Sequence, residues 1–179
     1  MLLDSGAVVD SKAKDPVLLQ KDPSRNHRPP PMLTMTTTTS KSKLHTFKLA
    51  DTLVTDIGCH AIACALGKQL QTLHVFKCNI TDVGLEAIAE YCVKLQELDA
   101  HDLKGVTDRS ATALAKVASL KRMYLSGTSI TSMGLEQLLD NRPEVMRLEA
   151  NGCVSNDFEH QRVREAAKAA LQNGLQLVL

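Results

Sequence analysis

The 179-residue chain carries 21 Lys/Arg against 20 Asp/Glu, a formal net charge of +1, and so lacks the basic excess that a nucleic-acid binder needs to neutralise phosphates. With no Trp, two Tyr and three Phe in a composition that is 44% hydrophobic, its core must be aliphatic, and its length suits one domain plus a tail. No apolar run approaches the roughly 18 residues needed to span a bilayer, so no membrane insertion is expected.

Residues 1–43 hold seven Lys/Arg against four Asp, two Asp-Pro steps, the run Pro29-Pro30-Pro31 and a hydroxyl cluster from Thr36 to Ser40. They show no sustained periodicity, and the composition predicts a disordered arm. Four Asp before residue 23 oppose a mitochondrial presequence starting at Met1. A chain starting at Met32 or Met35 would be free of acidic residues until Asp51 and closer to a transit peptide, although without Arg.

From residue 44 onward the sequence is a ladder. The apolar anchors Phe47, Leu73, Leu98, Met123 and Leu148 recur with a period of about 25 residues, the first interval being one longer than the others. Three residues before each anchor stand Leu44, Leu70, Leu95, Leu120 and Val145, and two residues after it Leu49, Val75, Ala100, Leu125 and Ala150. A turn column follows (Thr52, Cys78, Leu103, Thr128, Cys153), then Val54, Ile80, Val106 and Ile130. Next comes Thr-Asp in three copies and Thr131-Ser132 in the fourth.

Within each unit the apolar period changes from alternation around the anchor to helical spacing, as in Leu85, Ile88, Ala89 and Cys92, so each strand leads into a helix. The Thr-Asp pair falls at the start of that helix, where a side-chain oxygen can accept from unpaired first-turn N–H groups and Asp82 suits the positive end of the helix dipole. Ala61, Ala63, Ala65, Ala87, Ala89, Ala113, Ala115 and Ala118 are expected where stacked helices approach closely. The third unit has one extra residue between Leu98 and Val106 and replaces Val-Gly-Leu by Arg109-Ser110-Ala111, which predicts a shorter helix; Arg142-Pro143 ends the fourth. Asn156 with Glu159 suggests a capping box, followed by a polar helical segment over 158–172, Gly174 and a final strand alternating Leu175, Leu177 and Leu179. This helix and strand are expected to cap the C-terminal end, whereas no capping motif precedes the first strand, so either the arm covers the N-terminal edge, a partner does, or the chain is a divergent fragment of something longer.

These columns, above all Cys78-Asn79-Ile80-Thr81-Asp82-Val83-Gly84-Leu85, resemble the cysteine-containing leucine-rich repeats of the ribonuclease-inhibitor-like class, the type found in F-box/LRR proteins. The resemblance covers residues 44–179 and implies an α/β fold, a leucine-rich repeat solenoid wound as a right-handed β-α superhelix with a disordered N-terminal arm. In F-box/LRR proteins the repeats hold a substrate for a ubiquitin ligase, which implies a substrate-recognition or adaptor role; no F-box pattern precedes the first strand here. Small leucine-rich repeat proteins associated with mitochondrial ATP synthase and with respiratory complex I assembly are similar in size and ending, which implies the alternative of a fixed subunit or assembly factor.

Alternation across each strand places Thr46, Lys48 and Ala50; Thr72, His74 and Phe76; Glu97, Asp99 and His101; Arg122, Tyr124 and Ser126; and Arg147, Glu149 and Asn151 on the open concave side. We expect a protein partner there, contacted by Lys48, His74, Phe76, Asp99, His101, Arg122, Tyr124, Arg147 and Glu149. Phe76 and Tyr124 are the expected anchors, since hot spots favour aromatic and Arg side chains. The alternative for Phe76 is packing against the arm or a neighbouring side chain.

Asp99, His101 and Ser126 invite a hydrolase reading, but an i, i+2 pair lies about 6.6 Å apart along a strand, and nothing suggests an oxyanion hole. Cys59, His60 and Cys64 invite a metal reading, but offsets of one and five point them in different directions, with no paired-cysteine spacing. No catalysis, cofactor or metal is expected. Five cysteines, an odd number at mostly apolar positions without a secretory leader, point to a reducing compartment, cytoplasmic with nuclear or mitochondrial alternatives.

Overall fold

The computed structural model describes residues 44–179, so the expected arm of residues 1–43 lies outside the described residues. Strands and helices alternate: β1 (Thr46–Lys48), α1 (Asp56–Leu66), β2 (Thr72–His74), α2 (Asp82–Tyr91), β3 (Glu97–Asp99), α3 (Asp108–Leu114), β4 (Arg122–Tyr124), α4 (Ser132–Asn141), β5 (Arg147–Glu149), α5 (Asp157–Ala166), α6 (Lys168–Gln172) and β6 (Gln176–Val178). The strands form one parallel sheet in chain order. Register is the same throughout, Phe47, Leu73, Leu98, Met123, Leu148 and Leu177 standing side by side. Paired strands sit about 4.8 Å apart whereas packed helices need about 8–10 Å, so the stack must bend with its sheet on the inner, concave side.

The core lies between sheet and helices. Leu73, Leu98, Met123 and Leu148 are each at most 1% exposed, and the flanking Leu70, Leu95 and Leu120 are fully buried. Each such side chain contributes about 1.5–3 kcal/mol relative to an exposed position. Helix α3 has 7 residues against 10 in α2 and α4, as the extra residue of its unit predicts. The polar segment near the C-terminus is not one helix but two, α5 and α6, meeting at Ala167.

The Thr-Asp pairs do more than cap their own helices. Thr81 and Thr107 each accept from the N–H two residues on, but Thr55 and Thr131 make no such bond. The aspartate reaches into the following unit. Asp56 accepts from the Thr81 N–H (2.8 Å), the Thr81 hydroxyl (2.7 Å) and the Gly84 N–H (3.0 Å). Asp82 repeats this with the Thr107 N–H (2.8 Å), the Thr107 hydroxyl (2.7 Å) and Ser110, and Asp108 with the Thr131 N–H and hydroxyl, both at 2.7 Å. Each carboxylate thus supplies acceptors to the helix start one repeat ahead, where unpaired donors gather.

This explains two departures in the sequence. A Cβ on Gly84 would stand 2.7 Å from Asp56 Oδ1, and one on Gly134 would collide with the Asp108 carboxylate. In the third unit Ser110 occupies the same place and is fully buried, its hydroxyl donating to Asp82 instead. Where Ser132 replaces Asp, the next helix is capped within its own unit: Asn156 Oδ1 accepts from the Glu159 N–H, while Glu159 accepts from the Ser155 N–H.

The expectation that all eight alanines pack between helices holds only in part. Ala63 and Ala87 are buried and Ala89, Ala113 and Ala115 partly so, but Ala61, Ala65 and Ala118 are exposed. Ala61 occupies the column of Ala87 and differs in having no preceding helix against it among the described residues.

Burial alone would push the Asp82 carboxyl up, but hydrogen bonds donated by Ser110 and Thr107 outweigh it and hold the group below the ordinary carboxylate value. The contribution of Asp82 is therefore fully present above about pH 4, the unfolded value, and fades as pH falls through the lowered folded one. Asp82→Ala should cost about 2–3 kcal/mol at pH 7 in urea unfolding, with the difference from the parent shrinking in acid. A loss that stays constant down to pH 2 would contradict the charge-assisted clamp.

Candidate functional site

On the concave face each strand presents two side chains flanking its buried anchor, and the loop after it presents a third. Fixed register turns these into three columns. The first runs Thr46, Thr72, Glu97, Arg122, Arg147 and Gln176, and the second Lys48, His74, Asp99, Tyr124, Glu149 and Val178. Phe76, His101, Ser126 and Asn151 follow in the third. All nine residues expected to contact a partner belong to these columns. Gln176 and Val178 of β6 extend the face by one strand beyond the five expected to form it.

The face is less solvated than alternation alone predicts. Except for Lys48, which is exposed at the edge, the nine are half-buried, because side chains one repeat apart lean on each other. Phe76 stacks on His101 with ring centroids 4.2 Å apart and planes 16° from parallel, so it does pack against a neighbouring side chain. Asp99 stands between two histidines, with Oδ1 2.6 Å from His101 Nδ1 and Oδ2 3.8 Å from His74 Nδ1; His74 Nε2 lies 3.4 Å from Glu97. Farther along, Arg122 meets Glu97 at 2.7 Å, and Arg147 pairs with Glu149, donates to Gln176 at 2.6 Å and lies 5.8 Å from the centre of the Tyr124 ring. The Glu149 hydrogen bond stabilises the Arg147 guanidinium and pushes its pKa up.

Charge is therefore zoned. Lys48 marks the N-terminal margin, Glu97 and Asp99 with His74 and His101 the middle, and Arg122, Tyr124, Arg147 and Glu149 the C-terminal half.

Asp99 and His101 touch, contrary to the expectation from strand spacing. The rise along a strand separates backbone positions, and side chains on one face of a bent strand end can close that gap. Ser126 does not join them. Its hydroxyl accepts from the Asn151 N–H at 3.1 Å, and the Asn151 amide nitrogen lies 3.3 Å away.

Cys59, His60 and Cys64 divide into two environments. Cys59 is buried and donates to the Gly84 carbonyl, whereas His60 and Cys64 lie 3.6 Å apart on the outer surface, an i, i+4 contact that the offsets from Cys59 obscured. Among the described residues no group of three or more His, Cys, Asp or Glu side chains is placed to hold a metal ion. All five cysteines are free. The turn-column thiols act as donors: Cys78 Sγ lies 2.7 Å from the Leu49 carbonyl, and Cys153 Sγ 3.4 Å from that of Leu125.

A leucine-rich repeat family profile matches residues 69–89, the unit around β2 and the start of α2. The fold is a leucine-rich repeat solenoid. A similar solved structure is that of an internalin, InlF, from Listeria monocytogenes strain 4b F2365, at TM-score 0.51 and 21% identity over 75% of this chain and 34% of the internalin. The chain thus spans about a third of the internalin's length, and the likeness is one of fold. Neither comparison reaches as far as the ribonuclease-inhibitor-like subclass or an F-box relationship.

Burial pushes the Cys59 thiol up to about 12 and the Cys92 thiol up to about 11. In the native solenoid, N-ethylmaleimide at pH 7 should modify the exposed Cys64 and spare Cys59 and Cys92 until the protein is unfolded, as peptide mass mapping would show. Equal labelling of Cys59 and Cys64 in the native state would contradict the packing of α1.

Proposed function

We propose that the solenoid is a protein-interaction module that binds its partner across the concave columns, with the Phe76–His101 stack and the Arg147–Tyr124 pair as anchors. The observation that carries this is the lateral fixing of these side chains. Aromatic and Arg groups already held by neighbours lose little rotamer freedom when a partner arrives, and such groups dominate interface energetics. Six strands give a face roughly 24 Å across, wide enough for part of a standard interface.

The zoning of charge favours a partner that brings basic groups to Glu97 and Asp99 and acidic groups to Arg122 and Arg147. Within this reading the chain serves as a substrate-recognition or adaptor subunit, of the kind the resemblance to F-box/LRR proteins implies. A second reading, a fixed subunit or assembly factor of a larger complex, is favoured by the incomplete packing of the first unit, which a permanent neighbour would complete.

The test is a C-terminally tagged chain purified from its own cells, side by side with Phe76→Ala/Tyr124→Ala. Both residues are half-buried at the surface, so the double variant should fold with a melting temperature lowered by only a few degrees. Co-purifying proteins should fall at least about tenfold, the loss of one hot-spot contact or more. A stoichiometric complex that survives the double variant unchanged would overturn the concave-face reading in favour of the fixed subunit.

A further inference from the structure

On the outer, helical surface the groove between α4 and α5 differs from its counterpart between α2 and α3. In the α2–α3 groove the charges balance: Glu86 and Glu90 line one side, Arg109 and Lys116 the other, and Arg109 meets Glu86 at 2.8 Å. The α4–α5 groove, about 460 Å³ in volume, is lined by Glu136, Asp140, Phe158, Arg162 and Glu165. Three carboxylates there share one lining cation. Arg162 donates to Glu136 Oε2 at 2.7 Å, whereas Glu136 Oε1 is buried and meets no donor. Lys168 approaches Glu165 only to 3.9 Å, in a pair whose side chains are 72% and 66% exposed.

The same groove has an apolar end. Met133 and Phe158, the second residues of α4 and α5, are 67% and 70% exposed. Helical spacing keeps Met133, Glu136 and Asp140 on one face of α4, and Phe158, Arg162 and Glu165 on one face of α5. At about 1.5 Å per residue, roughly 10 Å separates the apolar pair from the end held by Asp140 and Glu165. Arg162 lies 6.0 Å from the centre of the Phe158 ring, between the two ends. The α2–α3 groove has Arg109 where α4 has Met133 and α5 has Phe158, so the combination of an apolar end with surplus carboxylate does not occur there.

We propose that the α4–α5 groove binds a short basic segment of a second protein, with an apolar side chain resting on Met133 and Phe158 and Lys or Arg reaching Glu136, Asp140 and Glu165. Charge complementarity selects this occupant. Surplus carboxylate repels nucleic-acid phosphates and anionic lipid headgroups, whereas Glu136, one donor short, has acceptor capacity for a second cation beside Arg162. The alkyl stem of a Lys or Arg can lie along the exposed Phe158 ring while its charged head stays among the carboxylates. In an extended segment roughly 10 Å is three residues, which gives the spacing apolar-x-x-basic. This surface lies on the helical side, opposite the concave columns, and is a second contact site independent of them.

The test uses the full chain and the peptide acetyl-Leu-Gly-Gly-Arg-Arg-amide, with acetyl-Leu-Gly-Gly-Glu-Glu-amide as its acidic counterpart. In amide NMR spectra at low salt the basic peptide should saturably shift α4 and α5, Asp140 and Phe158 included, and bind more weakly as salt rises. The acidic peptide should leave these amides in place. Glu136→Gln/Asp140→Asn and, separately, Phe158→Ala should each raise the apparent Kd about fivefold or more, the size of one surface ion-pair or cation–π contact. None of the three side chains belongs to the buried core, and unshifted Leu73 and Leu98 amides will verify that the variants fold. No saturable shift with the basic peptide, equal shifts with both peptides, or a Kd that neither variant changes would each overturn the inference. Shifts confined to β3 and the loop after it would overturn it too, assigning the basic segment to the concave face. Failure here leaves the concave-face reading standing, since its own test changes Phe76 and Tyr124 and leaves this groove intact.

Discussion

Everything in this solenoid depends on a carboxylate that serves the neighbouring repeat. A parallel sheet fixes strand against strand through its own hydrogen bonds, but nothing in those bonds fixes the helices behind it. Asp56, Asp82 and Asp108 do so, each reaching from one helix start to the next and accepting from a backbone N–H and a hydroxyl of the same threonine. A charged acceptor shared by donors from a second helix both offsets its own desolvation and satisfies groups that would otherwise be unpaired. Gly84 and Gly134 are the steric counterpart, since only a missing Cβ, or the donating hydroxyl of Ser110 in the same column, tolerates a carboxylate so close.

That constraint carries through to the concave face. With helices locked at one repeat per unit, the strands cannot slip, and a slip of one residue would turn His74, Asp99 and Tyr124 inward. Fixed register puts Glu97 beside Arg122 and Asp99 between His74 and His101, and these contacts hold the side chains in place. Exposed ion pairs of this type add little to stability, under about 1 kcal/mol each. Their effect lies in orientation, which lowers the ordering cost of binding.

Repeat number, register, the buried anchors, the short third helix and the concave columns of the first five strands were legible in the sequence because each rests on the recurring period of the anchors. What was not legible involves contacts between units. The Thr-Asp pair reads as an ordinary helix start, since one repeat in isolation offers no hint that Asp82 turns toward Thr107 and Ser110. For Phe76, packing against a neighbouring side chain is one of two readings the sequence allows, but which neighbour is not legible for the same reason: its cover, His101, is the next member of its own column and belongs to the following repeat. The contact between Asp99 and His101 was hidden by counting distance along the backbone, and the break at Ala167 by a run of small residues with good helix propensity on both sides.

The two ends of the stack differ in how they handle the same deficit. Toward the C-terminus the clamp is relinquished where Ser132 replaces aspartate, and the following helix has its own Asn156 cap, a polar outer face and a closing strand whose Leu177 pairs with Leu148. Each function the preceding unit would have supplied is replaced locally. Among residues 44–66 none of these replacements is present: the Thr55 side chain makes no cap bond, Phe47 is half-covered, and Ala61 is exposed where Ala87 is buried. Repeats are stable largely through their neighbours, and the first described repeat keeps the apolar residues of an interior one without the polar substitutions found at the C-terminal end.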